Sequence, residues 1–129
     1  MIITLPWPNL KLTPNAKRRK HWRSYQPAIK SDRAAGAICT CLALPLRAKK
    51  AIAATEGKIA MVVTFYPPDA RRRDDDGMIS AFKHLRDGIA DALGIDDGDP
   101  RITWVVEQAK FTGAHRGGYS CAVRIEVRE

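Results

Sequence analysis

Two periods of apolar residues run along this chain. Met78, Phe82, Leu85, Ile89 and Leu93 recur at helical spacing, a single stripe that predicts an amphipathic helix after the polar segment 69–77. Asp75 or Asp76 stands where an N-cap belongs, and Gly94 where such a helix ends. Lys58–Tyr66 is instead a continuous β-branched and apolar run closed by Pro67-Pro68, the pattern of a buried strand. Ile102–Phe111 reads as another strand. Tyr119–Val127 alternates, with Cys121, Val123, Ile125 and Val127 on one face, and Met1–Leu5 forms a short opening strand ended by Pro6-Trp7-Pro8. Residues 9–25 read as a basic loop and Gly113–Gly118 as a second loop. The Ala-rich stretch Pro27–Leu44 predicts a helix with Ile29, Ala37, Ile38, Cys41 and Leu42 towards the core and Pro45 as its stop. The order β-α-β-α-β-β predicts an α/β (α+β) fold: one domain over residues 1–129, a mixed sheet of about four strands with two main helices packed on it.

Composition narrows the class. A length of 129 residues suits one domain with a sizeable core, and 45% hydrophobic with 28% charged residues argues against wholesale disorder. No apolar run approaches the ~20 residues of a membrane span, and the first residues lack a signal peptide's basic and apolar regions. The expectation is a soluble protein of the bacterial cytosol with no membrane partner. Cys39, Cys41 and Cys121 are odd in number and lack zinc-site spacing, so they read as buried free thiols.

Charge changes the picture more. The net +8 divides unevenly: residues 1–58 hold twelve Lys/Arg against Asp32 and Glu56, and carry +10. Residues 59–129 hold ten Lys/Arg against twelve acids, and nine Asp but no Glu fall within 69–99. A basic segment suits a polyanionic partner. Lys17, Arg18, Arg19, Lys20 and Arg23 can neutralise phosphates, while Trp22 or Tyr25 stacks on a base or, in the plainer reading, Trp22 folds onto the core. Arg71, Arg72 and Arg73 either grip a strand or offset the carboxylates that follow.

Those carboxylates carry the sharpest chemical signal. Asp74-Asp75-Asp76 repel one another unless solvent or a cation intervenes. In an extended segment Asp74 and Asp76 point to one side, and oxygen-only ligation suits Mg²⁺ or Mn²⁺. The second cluster, Asp96-Asp97-Gly98-Asp99, follows the helix, and the reading has the chain turning back so that one of its Asp residues returns beside Asp74 and Asp76. Such a set suits metal-assisted phosphodiester hydrolysis, in which the metal activates the attacking water. Either cluster alone is commonly a cap or a solvated turn. An EF-hand is excluded, because Leu85 stands where the loop needs a bidentate Glu. Lys83 is placed either to reach a scissile phosphate or simply to face solvent. His21, His84 and His115 lack an adjacent nucleophile and read as noncatalytic.

With these residues assembled, the sequence resembles the RusA family of Holliday junction resolvases, in particular its phage-borne members. The resemblance rests on Leu5-Pro6-Trp7-Pro8, Thr13-Pro14-Asn15-Ala16 with His21-Trp22, Arg73-Asp74-Asp75-Asp76, Asp91-Ala92-Leu93 and Asp96-Asp97. It implies a RusA-like fold and a phage or prophage origin. It also implies a homodimeric, Mg²⁺-dependent endodeoxyribonuclease of DNA recombination and repair, one that nicks opposing strands of a four-way junction symmetrically and leaves 5′-phosphates. By the same resemblance Asp74 and Asp76 are metal ligands and Asp97 is the third, with Asp99 or Asp96 as its substitute. Lys83 takes the place of the family's helix lysine if the helix carries an insertion, and Gly77 stands where the family has Asn. Two other readings are a noncatalytic protein binding branched DNA, and a metal-dependent nuclease acting on flaps or RNA.

Overall fold

The computed structural model describes residues 1–18, 20–67, 75–96, 98–109 and 121–128, with the side chains of residues 10, 15 and 75 excepted. Four strands form one mixed sheet: β1 (Ile2–Leu5), β2 (Lys58–Phe65), β3 (Ile102–Gln108) and β4 (Cys121–Arg128), in the spatial order β1-β4-β2-β3. β4 runs antiparallel to both β1 and β2, placing Val123 opposite Ile3 on one side and Val63 on the other. β2 and β3 are parallel, with Ile59 beside Ile102 and Phe65 beside Gln108. The helices are a one-turn α1 (Pro14–Lys17), then α2 (Trp22–Ala43), α3 (Leu46–Ala53) and α4 (Asp75–Leu93). The expected α+β architecture is therefore present, with α3 as a helix the pattern did not show. No described helix is long and apolar enough to cross a membrane.

One sheet face carries the core. Ile3, Leu5, Ile59, Met61, Val63, Phe65, Cys121, Val123 and Ile125 are buried against the full predicted stripe of α4. Each such side chain contributes roughly 1.5–3 kcal/mol by leaving water. Aromatic edges join the layers: Phe65 meets Phe82 at 5.7 Å and Trp7 at 5.8 Å, and Phe82 meets Trp104 at 6.0 Å. Val127, expected on the buried face, is 40% exposed because it lies near the end of β4. The third strand stops at Gln108, short of the expected Phe111.

α2 departs most from expectation. It starts at Trp22, five residues before Pro27, because His21 caps it and proline's locked φ is itself helical; only the bond to the Arg23 carbonyl is lost. Its buried face is Ala28, Asp32, Gly36 and Thr40, whereas Ile38 and Leu42 are exposed at 58% and 83%, Cys41 is exposed, and Ile29 and Ala37 are half-buried. The reason is a crossing with α4 so close that backbones touch. A Cβ on Gly36 would lie 2.2 Å from the Leu85 carbonyl oxygen, and one on Gly88 2.0 Å from that of Arg33. Only small residues fit that line, so the large ones are displaced outward. The thiols follow the same geometry: Cys121 is buried, Cys39 half-buried and Cys41 exposed.

The segment expected as a basic loop also has structure. A 3₁₀ turn at Leu10–Leu12 leads into α1, which Thr13 caps by accepting a bond from the Ala16 amide at 3.3 Å. α4 begins at Asp75, so Asp75 and Asp76 lie in its first turn, and Gly94 ends the helix with φ +70°.

Candidate functional site: a basic arm against the Asp-bearing helix

Residues 9–21 form an arm that is pinned at both ends. The Asn9 amide donates to the buried carboxylate of Asp32 at 3.0 Å. Burial outweighs that bond and raises the Asp32 carboxyl above its ordinary range. Leu12, fully buried, joins Ala28 of α2 and Ala81 of α4 in a small second core on which Tyr25 and Ile29 pack. At the far end His21 Nδ1 accepts from the Arg23 amide at 3.2 Å, and the Ser24 hydroxyl donates to the His21 carbonyl at 2.7 Å. Fixing the apolar side of the arm turns its cations outward: Lys11, Arg18, Lys20 and Arg23 are exposed and Lys17 is half-exposed.

Aromatic rings interleave with these cations. Trp22 is 54% exposed and does not fold onto the core; its ring stacks on His21 at 5.7 Å, and the Arg23 guanidinium sits 5.5 Å from its centre. Lys17 Nζ lies 5.2 Å from the centre of the Tyr25 ring. Lys11, Ala16, Lys20, Ser24 and Tyr25 enclose a cavity of about 370 Å³. Lys11 and Ser24 were absent from the sequence reading. Lys11 sits between two leucines and resembles a solvated residue until Leu12 anchors the turn, and Ser24 gives no signal in sequence.

α4 provides the opposing wall. Asp76 and Lys83 are both exposed, and seven residues place them on one side of the helix, ~10.5 Å apart along its axis. His84, beside Lys83, has its pKa lowered first by burial and then by the nearby charge of Lys17, with Lys83 and Arg33 adding to it and Asp87 opposing. The arm's Lys17 and the helix's Lys83 thus both disfavour protonation of one imidazole. Asp87 approaches that ring at 4.0 Å, is 8% exposed, and has its Oδ1 buried without a hydrogen bond. Arg33, from α2, grips Asp91 through two bonds of 2.6 and 2.8 Å.

Of the second acidic cluster, Asp96 and Asp99 are described. α4 spans ~27 Å between Asp76 and these residues, so neither lies beside Asp76 within one chain. Asp99 gives both carboxylate oxygens to Arg101, whose Nη2 approaches at 2.7 Å, and this bond holds its carboxyl down to about 2. Arg101 in turn donates to the carbonyls of Ala53, at 3.0 Å, and Thr55. Asp99 thereby braces the end of α3 against the start of β3. Asp96 is exposed and accepts from the Gly98 amide at 3.2 Å.

Asp74, Asp97, Arg19, Arg71, Arg72 and Arg73 lie outside the described residues. Among the described residues no three His, Cys, Asp or Glu side chains converge in a metal-holding group.

These features define a small α+β protein with a mixed four-stranded sheet and a basic arm. A protein of Xylella fastidiosa strain Temecula1, described as uncharacterized, is 42% identical over 101 residues, which cover 74% of this chain and 59% of that protein. The chain therefore spans less than two thirds of the relative's length. No protein-family model matches the sequence.

Proposed function

We propose that this chain is a Mg²⁺-dependent, structure-selective endodeoxyribonuclease that resolves four-way DNA junctions as a homodimer, in the manner of the RusA family. The observation that carries this reading is the arm itself: a row of outward cations and aromatic rings held beside the helix that bears Asp76 and Lys83. Such a surface suits phosphate backbones that pass an acidic centre.

Asp76 and Asp96 are exposed carboxylates, a donor type that fits Mg²⁺ (or Mn²⁺). Asp74 and Asp97 join them by sequence position, and Asp99 does not, being committed to Arg101. When bound, such a cation supplies charge that stabilises the cleaved phosphodiester and lowers the pKa of the hydrolytic water. The protein's own side chains do the rest. Lys17, Arg18, Lys20 and Arg23 hold backbone phosphates, and Lys83 reaches the scissile phosphate from the same side of α4 as Asp76. Because α4 separates Asp76 from Asp96 within one chain, the full carboxylate set is assigned to two chains, Asp74 and Asp76 from one and Asp97 from its partner.

A mixing experiment tests this. Asp76→Asn and Asp97→Asn should each abolish nicking of a synthetic four-way junction while preserving binding. Mixed and allowed to exchange, they should regain nicking, since each heterodimer holds one intact site. Activity in either variant alone refutes the carboxylate assignment. No recovery on mixing refutes the shared site. A wild-type protein that binds junctions but leaves every DNA uncut in Mg²⁺ favours the noncatalytic reading.

A further inference from the structure

The cavity between the arm and the first turn of α2 is too small for a duplex but lies within the ~300–1,000 Å³ range of small-ligand sites. Its walls are chemically divided. Ala16 and Tyr25 give it apolar surface, and the cationic residues Lys11 and Lys20 also line it. Ser24 adds a polar group. Its hydroxyl hydrogen is given to the His21 carbonyl, which leaves the oxygen as an acceptor. Beside the cavity, exposed Trp22 continues the aromatic surface.

We propose that this cavity receives one unpaired nucleotide of the bound DNA: its base against Ala16 and Tyr25, its phosphate on Lys11 and Lys20. The Ser24 oxygen is an acceptor for an N–H on the pairing edge of the base, a donor that all four bases carry. Trp22 then stacks on the neighbouring base. The proposal rests on the DNA-binding part of the reading above and is independent of cleavage. It names the feature that separates a branched or distorted substrate from plain duplex, namely a nucleotide freed from its pair.

The test measures binding in EDTA, where no metal-dependent nicking takes place. The probes are a duplex with a single-nucleotide bulge, the same duplex fully paired, and the mononucleotide dAMP as competitor. Wild-type protein should prefer the bulged duplex. Tyr25→Leu and Lys20→Ala should each reduce the preference for the bulge by up to about tenfold, and Tyr25→Phe should retain it. Tyr25 packs on Leu12 and Ala28, so the thermal midpoint of Tyr25→Leu is measured alongside; Lys20 is exposed and its variant reads the pocket without that concern. An unchanged preference in Lys20→Ala and Tyr25→Leu, or dAMP displacing the bulged duplex as well as an unlabelled copy does, would overturn the assignment. A protein that fails to cut any DNA yet shows this pattern defeats the nuclease reading and leaves the pocket standing.

Discussion

Asp99 shows how far a single residue's environment governs what its chemistry can be. Its carboxylate is bound by the guanidinium of Arg101 and by that residue's amide, and both bonds favour the ionised form. A carboxyl ordinarily at 3.8 is held down to about 2, so the stabilisation is complete above the unfolded value and is lost as pH falls from 3.8 towards 2. Asp99→Asn should therefore lower the thermal midpoint at neutral pH, and the gap to wild type should close as the pH is taken down through that window. A gap that persists unchanged at pH 2 would show that the brace does not depend on charge. The same variant should leave metal-dependent nicking intact, unlike Asp97→Asn. His84 is the opposite case: burial and surrounding cations disfavour its charged form, and a group with a depressed pKa weakens the fold as pH drops below 6.5.

At the scale of elements, the contact of α2 with α4 decides the layout of the site. Gly36 and Gly88 bring the two backbones together, and that closeness lets Leu12 reach both Ala28 and Ala81 and hold the arm across them. Replacing glycine by alanine within a helix ordinarily gains up to about 1 kcal/mol. Here a methyl 2.2 Å from a backbone oxygen forces the helices apart, an overpacking cost of typically 1–3 kcal/mol. Gly36→Ala and Gly88→Ala should each destabilise the protein by roughly 1–2 kcal/mol in urea unfolding. They should also weaken DNA binding, because the arm's anchor moves with the helices. A neutral or stabilising result would mean that the crossing is looser than described.

For the whole molecule, the relevant quantity is how charge is distributed over surfaces. The arm puts Lys17, Arg18, Lys20 and Arg23 on one side. On the sheet's other face Arg124 is paired with Glu126 at 2.8 Å, and Glu126 also meets Arg128. Backbone binding by the arm predicts a steep fall of affinity with salt, each phosphate contact contributing ~0.9 to the slope on duplex DNA. Arg18→Gln should lower that slope by about 1, whereas Arg124→Gln should leave it unchanged. Equal effects of the two variants would indicate diffuse attraction with no defined DNA-binding side.

Periodicity alone determined β2, β4 and the stripe of α4, since a run of β-branched residues or an i, i+4, i+7 stripe has few ways to bury itself. It misplaced the inner face of α2, because Ile38 and Leu42 look like core by hydrophobicity and a crossing lined by Gly36, Gly88 and Ala81 cannot hold them. The basic and acidic segments, and the residue types suited to phosphate and to Mg²⁺, were likewise legible as composition along the chain. Distance was not. Asp76 and Asp96 are twenty residues apart in sequence, and the helix between them keeps them a helix length apart, whereas Lys17 and Lys83 are far apart in sequence and act on one histidine. Sequence fixes which groups are present; only packing, through a 1.5 Å rise per helical residue and the closeness two glycines allow, settles which of them meet.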